Sequence, residues 1–311
     1  MKKYIIRKIF SFIICILAVT LFSFSLLHLI PGDPVRYILG EFATEEQYQK
    51  LKHQLGLDKP IHIQFIDWLA NIILRGDFGK SLVKNVPVRE LISERIVYTL
   101  QLTGTAWLIA FALGIPLGIA AAIYKQTAVD YTVMGLAAFL MSMPYFWLGL
   151  VLMLIFGVML KVLPISGIGD WRNVILPSLT LGLPQVAVIA RLMRANMLDV
   201  LDKDYVMTAK AKGLSNTLVV FKHALRNALI PIVTYMFLQI PWLFGGAVVT
   251  ETVFAWPGMG RLLIISILQR DYPTVQALVF LIGTLTVIAN FAADLVYAFI
   301  DPRVRVTGEG A

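Results

Sequence analysis

Histidine, cysteine and paired carboxylates are the side chains that most often hold metals or carry acid–base chemistry. Here they are few and poorly spaced. The histidines are His28, His53, His62 and His223, and the one cysteine is Cys15. No H-E-x-x-H or C-x-x-C pattern occurs, so no metal or redox centre is expected. No G-x-x-x-x-G-K-[ST] occurs either, so ATP binding through a P-loop is not expected of this chain. Without a serine–histidine pair in the apolar segments, an enzyme is not predicted. What remains is a set of polar residues embedded in apolar sequence: Gln101, Thr103, Thr105, Gln185, Gln239, Asn290 and Asp294. A charge at the centre of a membrane helix costs about 2.5–3.5 kcal/mol on insertion scales, so such groups pair with one another or line a pathway. Asn290 and Asp294 are spaced to share a helix face. Asp294 is expected to meet a basic partner near the inner end of its helix, with pathway lining as the alternative. Gln239, Glu251, Asn290, Asp294, Trp256, Pro257 and Gly258 are the candidates for a pathway or gate.

The elements that must position these residues follow from composition. Of 311 residues, 58% are hydrophobic and 15% charged, and the mean hydropathy is +0.77. A soluble fold cannot bury that much apolar surface, whereas lipid accommodates it. The expected fold is an all-α polytopic membrane protein. Six segments reach the length of about 20 apolar residues that a span requires: 9–30, 98–123, 131–160, 174–190, 228–250 and 274–299. The third is long and contains Pro144, which predicts a kink or a surface-lying start. The fourth is short and contains Pro177 and Pro184. Gly114 and Gly118 form a small-xxx-small face that lets another helix approach closely. Cys15 is expected to act as a small packed apolar residue. The basic start followed by a long apolar run reads as a retained first helix rather than a cleaved signal.

Charge orients the spans. With the N-terminus inside, the cytoplasmic pieces 1–8, 124–130, 191–227 and 300–311 hold 14 basic and six acidic residues. The long segment 31–97 balances nine of each. The formal charge of +8 and pI near 9.5 therefore express a positive-inside bias, not a nucleic-acid surface. Both termini are expected in the cytoplasm. Residues 1–30 are the N-terminal tail and first span, and 31–97 an extracytoplasmic helical insertion. Residues 98–300 are a core of five spans with cytoplasmic loop 191–227, and 301–311 a tail. Within the insertion, Thr44 and Gln47 make a capping box for a helix that Gly56 ends, and Pro60 opens a second. Between the fifth and sixth spans "ETVFAWPGMGRLLIISILQRDYP" turns at Trp256-Pro257-Gly258, then has helical spacing to Gln269 and stops at Pro273. It reads as a structured loop with an interfacial tryptophan, or as an outer gate.

Inside the longest cytoplasmic loop, "DKDYVMTAKAKGLSN" (202–216) predicts a short helix over 204–212. Asp202 or Asp204 can cap it, Lys210 and Lys212 suit its last turn, and Gly213 suits the left-handed position beyond it. Met207, Ala211 and Leu214 form one apolar stripe, and Tyr205 and Ala209 a neighbouring row. Ser215 starts the next helix. A helix this short needs a dock. That dock is its own protein and lipid headgroups, or a groove on a soluble partner.

"YVMTAKAKGLSNTLVVFKHALRNALIP" resembles the cytoplasmic EAA-type loop of ABC-importer permeases, in the variant of the dipeptide, oligopeptide and nickel family. "LIPGDP", "GDFGKSL", "ARLMRANMLDVL", "ETVFAWPGMGRLL", "RDYP" and "DPRVR" resemble the same family, in order, across nearly the whole chain. Met207 and Thr208 replace the first two letters of the EAA signature, and Ala209 alone fits. The resemblance implies a type I importer permease with six spans in a bacterial or archaeal plasma (inner) membrane. It implies a second homologous permease, two cytoplasmic ATPases that carry the ATP and Mg²⁺, and an extracytoplasmic solute-binding protein. The ATPases would receive Tyr205, Met207, Thr208, Ala209, Ala211, Gly213 and Leu214 in a cleft. The cargo it implies is di- or oligopeptides, with nickel or a metal chelate as the alternative. A stand-alone secondary transporter would require more intramembrane ionisable groups than Asp294 supplies.

Overall fold

The computed structural model describes residues 2–29, 35, 39, 44–54, 56–239, 242 and 247–300. The "LIPGDP" segment beyond Leu29, most of 240–246 and the 301–311 tail with "DPRVR" lie outside the described residues. In chain order the helices are α1 (Lys2–Leu29), α2 (Glu45–Gln54), α3 (Ile61–Ala70), α4 (Val88–Ile123), α5 (Ala128–Ser142) and α6 (Tyr145–Leu152). There follow α7 (Ile175–Leu201), α8 (Asp204–Ala211), α9 (Leu225–Leu238), α10 (Val248–Val253), α11 (Met259–Leu268) and α12 (Tyr272–Ile300). Among the described residues, four single helical stretches are long and apolar enough to cross a membrane: Ile6–Leu26, Val88–Ile123, Trp171–Leu201 and Tyr272–Val296.

The expected third span breaks at Pro144, as the sequence predicts, and the break is sharp. It is α5 and a second helix, Tyr145–Met159, set at 109° to each other. Pro144 cannot donate a helical hydrogen bond and forces its predecessor out of the helical region; Met143 accordingly sits at φ −85°, ψ 132°. The expected fourth span, 174–190, is too short in the opposite sense. Helix α7 absorbs Pro184 and runs on to Leu201, so the loop expected from 191 begins only at Asp202. Met193 and Met197, one turn apart, are fully buried and pull these last turns onto the core, while Arg191 and Asp199 face out. The second span starts earlier than expected, at Val88 behind Pro87. Its 36 residues extend about 54 Å, well beyond a hydrocarbon layer of about 30 Å. In the expected fifth span, 228–250, the described helix ends at Leu238. Cys15 is exposed rather than packed.

The α4–α7 seam is the centre of the fold, and glycines set its spacing. A Cβ on Gly114 would stand 2.8 Å from Ile189 Cβ, one on Gly118 2.6 Å from the Ala190 carbonyl, and one on Gly182 2.9 Å from the Ala106 carbonyl. The small-xxx-small expectation is met, with α7 as the partner. Ala110, Ile189, Met193, Met197, Ala228 and Ile232 fill the space below. Helices α1 and α12 run antiparallel alongside: Phe12 lies 4.8 Å from Phe291 between ring centroids.

The insertion is tied to this bundle by polar contacts. Thr44 and Gln47 form the expected capping box, with Gln47 N–H donating to Thr44 Oγ1 at 3.3 Å and Thr44 N–H to Gln47 Oε1 at 3.1 Å. Pro60 sits at the N-cap of α3. Trp68 of α3 packs against Phe24 of α1 and Phe280 of α12. The buried Asp271 of "RDYP" accepts from Ser81 Oγ at 2.5 Å, Leu82 N–H at 3.0 Å and Thr274 Oγ1 at 2.7 Å. Two motifs separated by most of the chain thus form one clasp.

At the opposite end, Arg194 of α7 grips Asp130 of α5 through two hydrogen bonds of 2.6 and 2.7 Å. Gln126 N–H donates to the same carboxylate at 3.0 Å. The Asp130 side chain is 3% exposed and that of Arg194 27%. Removing one partner of a buried pair leaves an uncompensated charge, whereas replacing both by apolar residues is often neutral. Asp130→Asn is expected to cost about 1–3 kcal/mol, the exposed side of Arg194 keeping the loss moderate. Pairing Asp130→Leu with Arg194→Met should recover most of it; thermal unfolding of the solubilised protein measures both.

Candidate functional site

Helix α8 spans Asp204–Ala211 and is fixed at both ends. Its N-cap is Lys203, with no side-chain cap, so neither Asp202 nor Asp204 plays the capping part expected of it. Asp204 instead stands in the first turn, where its charge meets the positive end of the helix dipole. The C-terminal expectation holds: Gly213 has φ +78°. Gly213 N–H donates to the Lys210 carbonyl at 3.0 Å and Leu214 N–H to that of Ala209 at 3.4 Å. These are the two bonds of a Schellman closure.

The face that docks on the chain's own body is not the predicted stripe. Val206 and Ala209 are buried against Val219, with Val200 and Leu201 beside them. Ala209 is therefore an inward anchor. Met207, at 59% exposure, and Ala211 and Leu214 point outward together with Thr208. Tyr205 is exposed but tethered, its hydroxyl accepting from Asn227 Nδ2 at 2.7 Å. Asn227 is on α9, so α8 is coupled to the foot of the next long helix. Sequence reasoning did not mark Asn227; a polar residue 22 positions away carries no local signal of its partner. Ser215 caps the following turn as expected, accepting from Leu218 N–H at 3.4 Å.

At the insertion end, the Trp256-Pro257-Gly258 turn is buried. Trp256 is 3% exposed; its indole N–H donates to the Tyr98 carbonyl at 2.9 Å. It is a core residue rather than an interfacial tryptophan. Glu251, fully buried, accepts from Thr99 Oγ1 at 2.7 Å and from Arg261 N–H at 3.0 Å. Thr99 in turn accepts from Met259 N–H at 2.9 Å. Burial pushes the Glu251 carboxyl above the usual range, and the bonds from Thr99 and the 260–261 backbone oppose this. Gly258 has extended backbone, φ −88°. Its need for glycine is space, because a Cβ there would overlap the Glu251 carboxylate. The left-handed residue of this turn is Ala255, φ +51°. Helix α11 stops at Leu268, ahead of Pro273, which lies in the first turn of α12.

The remaining candidates separate. Asp294 pairs with Lys8 Nζ at 2.7 Å, the basic partner expected of it. Asn290, one turn earlier, stands on the same helix. Gln239 ends α9 and lies beside Tyr235. The α8 helix, the Glu251 turn and Asp294 are three separate places, not one constellation.

These features have counterparts in known proteins. Residues 114–306 match the family model described as "Binding-protein-dependent transport system inner membrane component", and residues 1–103 match the model of its N-terminal region. The chain is 45% identical over 305 residues to the glutathione transport system permease protein GsiC of Salmonella choleraesuis (strain SC-B67), covering 98% of this chain and 99% of that protein. It is 43% identical to the protein of the same name from Escherichia coli (strain K12), with the same coverage. Among solved structures, a chain of the inward-facing MetNI methionine ABC transporter superposes with a TM-score of 0.58 at 19% identity, covering 68% of this chain and 96% of that one. A chain of an amino acid ABC transporter gives 0.52 at 15% identity, covering 68% and 94%. At these identities the likeness concerns fold. The chain belongs to the binding-protein-dependent transport system inner membrane component family, and is a multi-pass inner-membrane permease of a bacterial ABC importer, not an enzyme.

Proposed function

We propose that this permease imports di- or oligopeptides, glutathione-like tripeptides among them, and that α8 is where ATP hydrolysis reaches it. The observation that carries the coupling role is the outward face of α8. Met207, Ala211 and Leu214 form an exposed apolar stripe on a helix whose other face is anchored by Val206 and Ala209. A stripe of this kind suits a cleft on a soluble partner. In this reading the chain has six spans with both termini cytoplasmic, residues 31–97 as the extracytoplasmic insertion, 98–300 as the core and 301–311 as a tail. A second homologous permease completes the pathway, two ATPases bind the ATP and Mg²⁺, and an extracytoplasmic binding protein delivers the cargo. Closure of the ATPases pushes α8, and the Tyr205–Asn227 bond passes the displacement to α9. The stapled Trp256-Pro257-Gly258 turn closes the outer end of the path. Alternation between inward and outward states follows as a two-state change biased by nucleotide.

Gly213 tests the coupling. A Cβ there meets nothing within 4 Å, so a substitution costs only the left-handed strain, about 1–2 kcal/mol. Gly213→Ala is expected to retain most transport. Gly213→Trp should insert normally yet lose peptide uptake about tenfold or more while ATP hydrolysis continues. Normal uptake by Gly213→Trp in reconstituted vesicles would refute the role of α8.

A further inference from the structure

A polar cluster lies between α4, α6, α7 and α9, far from both ends of the bundle. The Tyr235 hydroxyl donates to Gln185 Oε1 at 2.8 Å. The Tyr145 side chain lies beside Gln185, and Gln239 lies beside Tyr235. Trp107 stacks on Phe111 and lies 6.5 Å from the Tyr235 ring. Its indole Nε1 is buried with no acceptor. Trp242 lies over Tyr145, ring centroids 5.8 Å apart.

Depth and exposure decide what this cluster faces. Gln185 stands in the apolar stretch Trp171–Leu201, about 21 Å from one end and 24 Å from the other at 1.5 Å per residue. Gln185 itself is buried, but Tyr145, Tyr235, Gln239 and Trp107 are only partly covered by this chain. Polar groups at that depth cannot face hydrocarbon cheaply; they face protein or a water-filled path. Pro184 and Pro231 each remove a rung from the hydrogen-bond ladder of α7 and α9 nearby. Both helices are therefore free to bend beside the cluster.

Chemistry then narrows the ligand. The cluster contains no charged side chain, histidine or thiol. A bare divalent cation needs carboxylate, imidazole or thiolate ligands. Two amides and two phenols between tryptophan faces instead offer neutral donors and acceptors, matched to another amide. We infer that Tyr145, Gln185, Tyr235 and Gln239, walled by Trp107, form a cargo-contact site at mid-depth that recognises peptide groups. The inference rests on the importer reading and adds a selectivity element within the permease.

The test uses the full complex in proteoliposomes: this chain, its second permease, both ATPases and the binding protein. Uptake of labelled Ala-Ala, Ala-Ala-Ala, glutathione and nickel(II) is measured side by side. Gln185→Leu is expected to lower peptide uptake about tenfold, as when a buried polar partner is lost. The conservative Tyr235→Phe, and Gln239→Leu, should shift the ratio of dipeptide to tripeptide uptake by about threefold or more. Leu108→Ala, on a side chain that is 70% exposed and outside the cluster, should leave every rate unchanged. If Gln185→Leu leaves peptide uptake unaltered, or Tyr235→Phe and Gln239→Leu leave the ratio of dipeptide to tripeptide uptake unchanged, the site is refuted while the importer reading stands. Wild-type vesicles that take up nickel(II) but no peptide would refute the peptide reading and the site with it.

Discussion

Gly118→Leu is expected to abolish folded, membrane-inserted protein. Gly118 lies where α4 runs close against α7, and a Cβ there would stand 2.5 Å from Met193 Cβ and 2.6 Å from the Ala190 carbonyl oxygen. A backbone atom cannot swing aside as a side chain can. Accommodation requires the two helices to separate along a seam that Gly114 and Gly182 also hold close. Overpacking a well-filled core costs about 1–3 kcal/mol where side chains can adjust, and here the main chain must move. Separation would also open the cluster around Met193 and Met197. The yield of monodisperse protein after detergent extraction measures the effect. Gly104 supplies the control on the same helix, since a Cβ there meets nothing within 4 Å. Gly104→Ala should match or slightly exceed wild type, through about 1 kcal/mol of helix propensity. Equal yields from Gly118→Leu and wild type would show that the seam is not tight.

Gly258→Ala is the second large effect expected. One methyl group would occupy the volume of the Glu251 carboxylate. A flexible side chain end would ordinarily yield, but this one is fully buried and held by Thr99 Oγ1 and Arg261 N–H. Displacing it breaks both bonds and leaves a buried carboxyl without donors, a loss of about 3 kcal/mol or more. Thr99, Met259 and the Trp256 turn share the same network, so the connection from α10 through α11 to α4 should loosen together. Protease accessibility between residues 254 and 272 reads this directly. Gly258→Ala should be cut several-fold faster than wild type, and Gly258→Ala with Glu251→Ala should regain part of the protection because the displaced group is gone. A cleavage rate equal to wild type would refute the staple.

Much of this architecture is written locally. Apolar run length announces spans, because hydrocarbon thickness sets the length of a helix that crosses it. Gly213 and the Thr44–Gln47 pair were legible because capping acts within a turn or two of chain. The proline at 144 announced a break but not its angle, which depends on how α5 and α6 each pack on α7. The end of α7 was misplaced because charged residues in 191–201 look like loop until Met193 and Met197 are seen buried on one face. The stripe on α8 is legible as apolar, but whether it faces the chain's own body or a partner is not. A helix of eight residues presents several candidate faces, and only the position of Val219 selects the buried one.

From the sequence alone came the membrane class, the short helix ending at Gly213 and the family resemblance, since each rests on neighbouring residues or on the order of motifs along the chain. Tertiary structure alone decided that α8 turns Met207, Ala211 and Leu214 outward. It also decided that Glu251 serves the Trp256-Pro257-Gly258 turn, and that Tyr235 of α9 bonds Gln185 of α7. The Tyr235–Gln185 bond joins residues 50 positions apart, and even the shorter-range contacts fall beyond a helical turn. Their partners are chosen by helix packing, which no local pattern encodes.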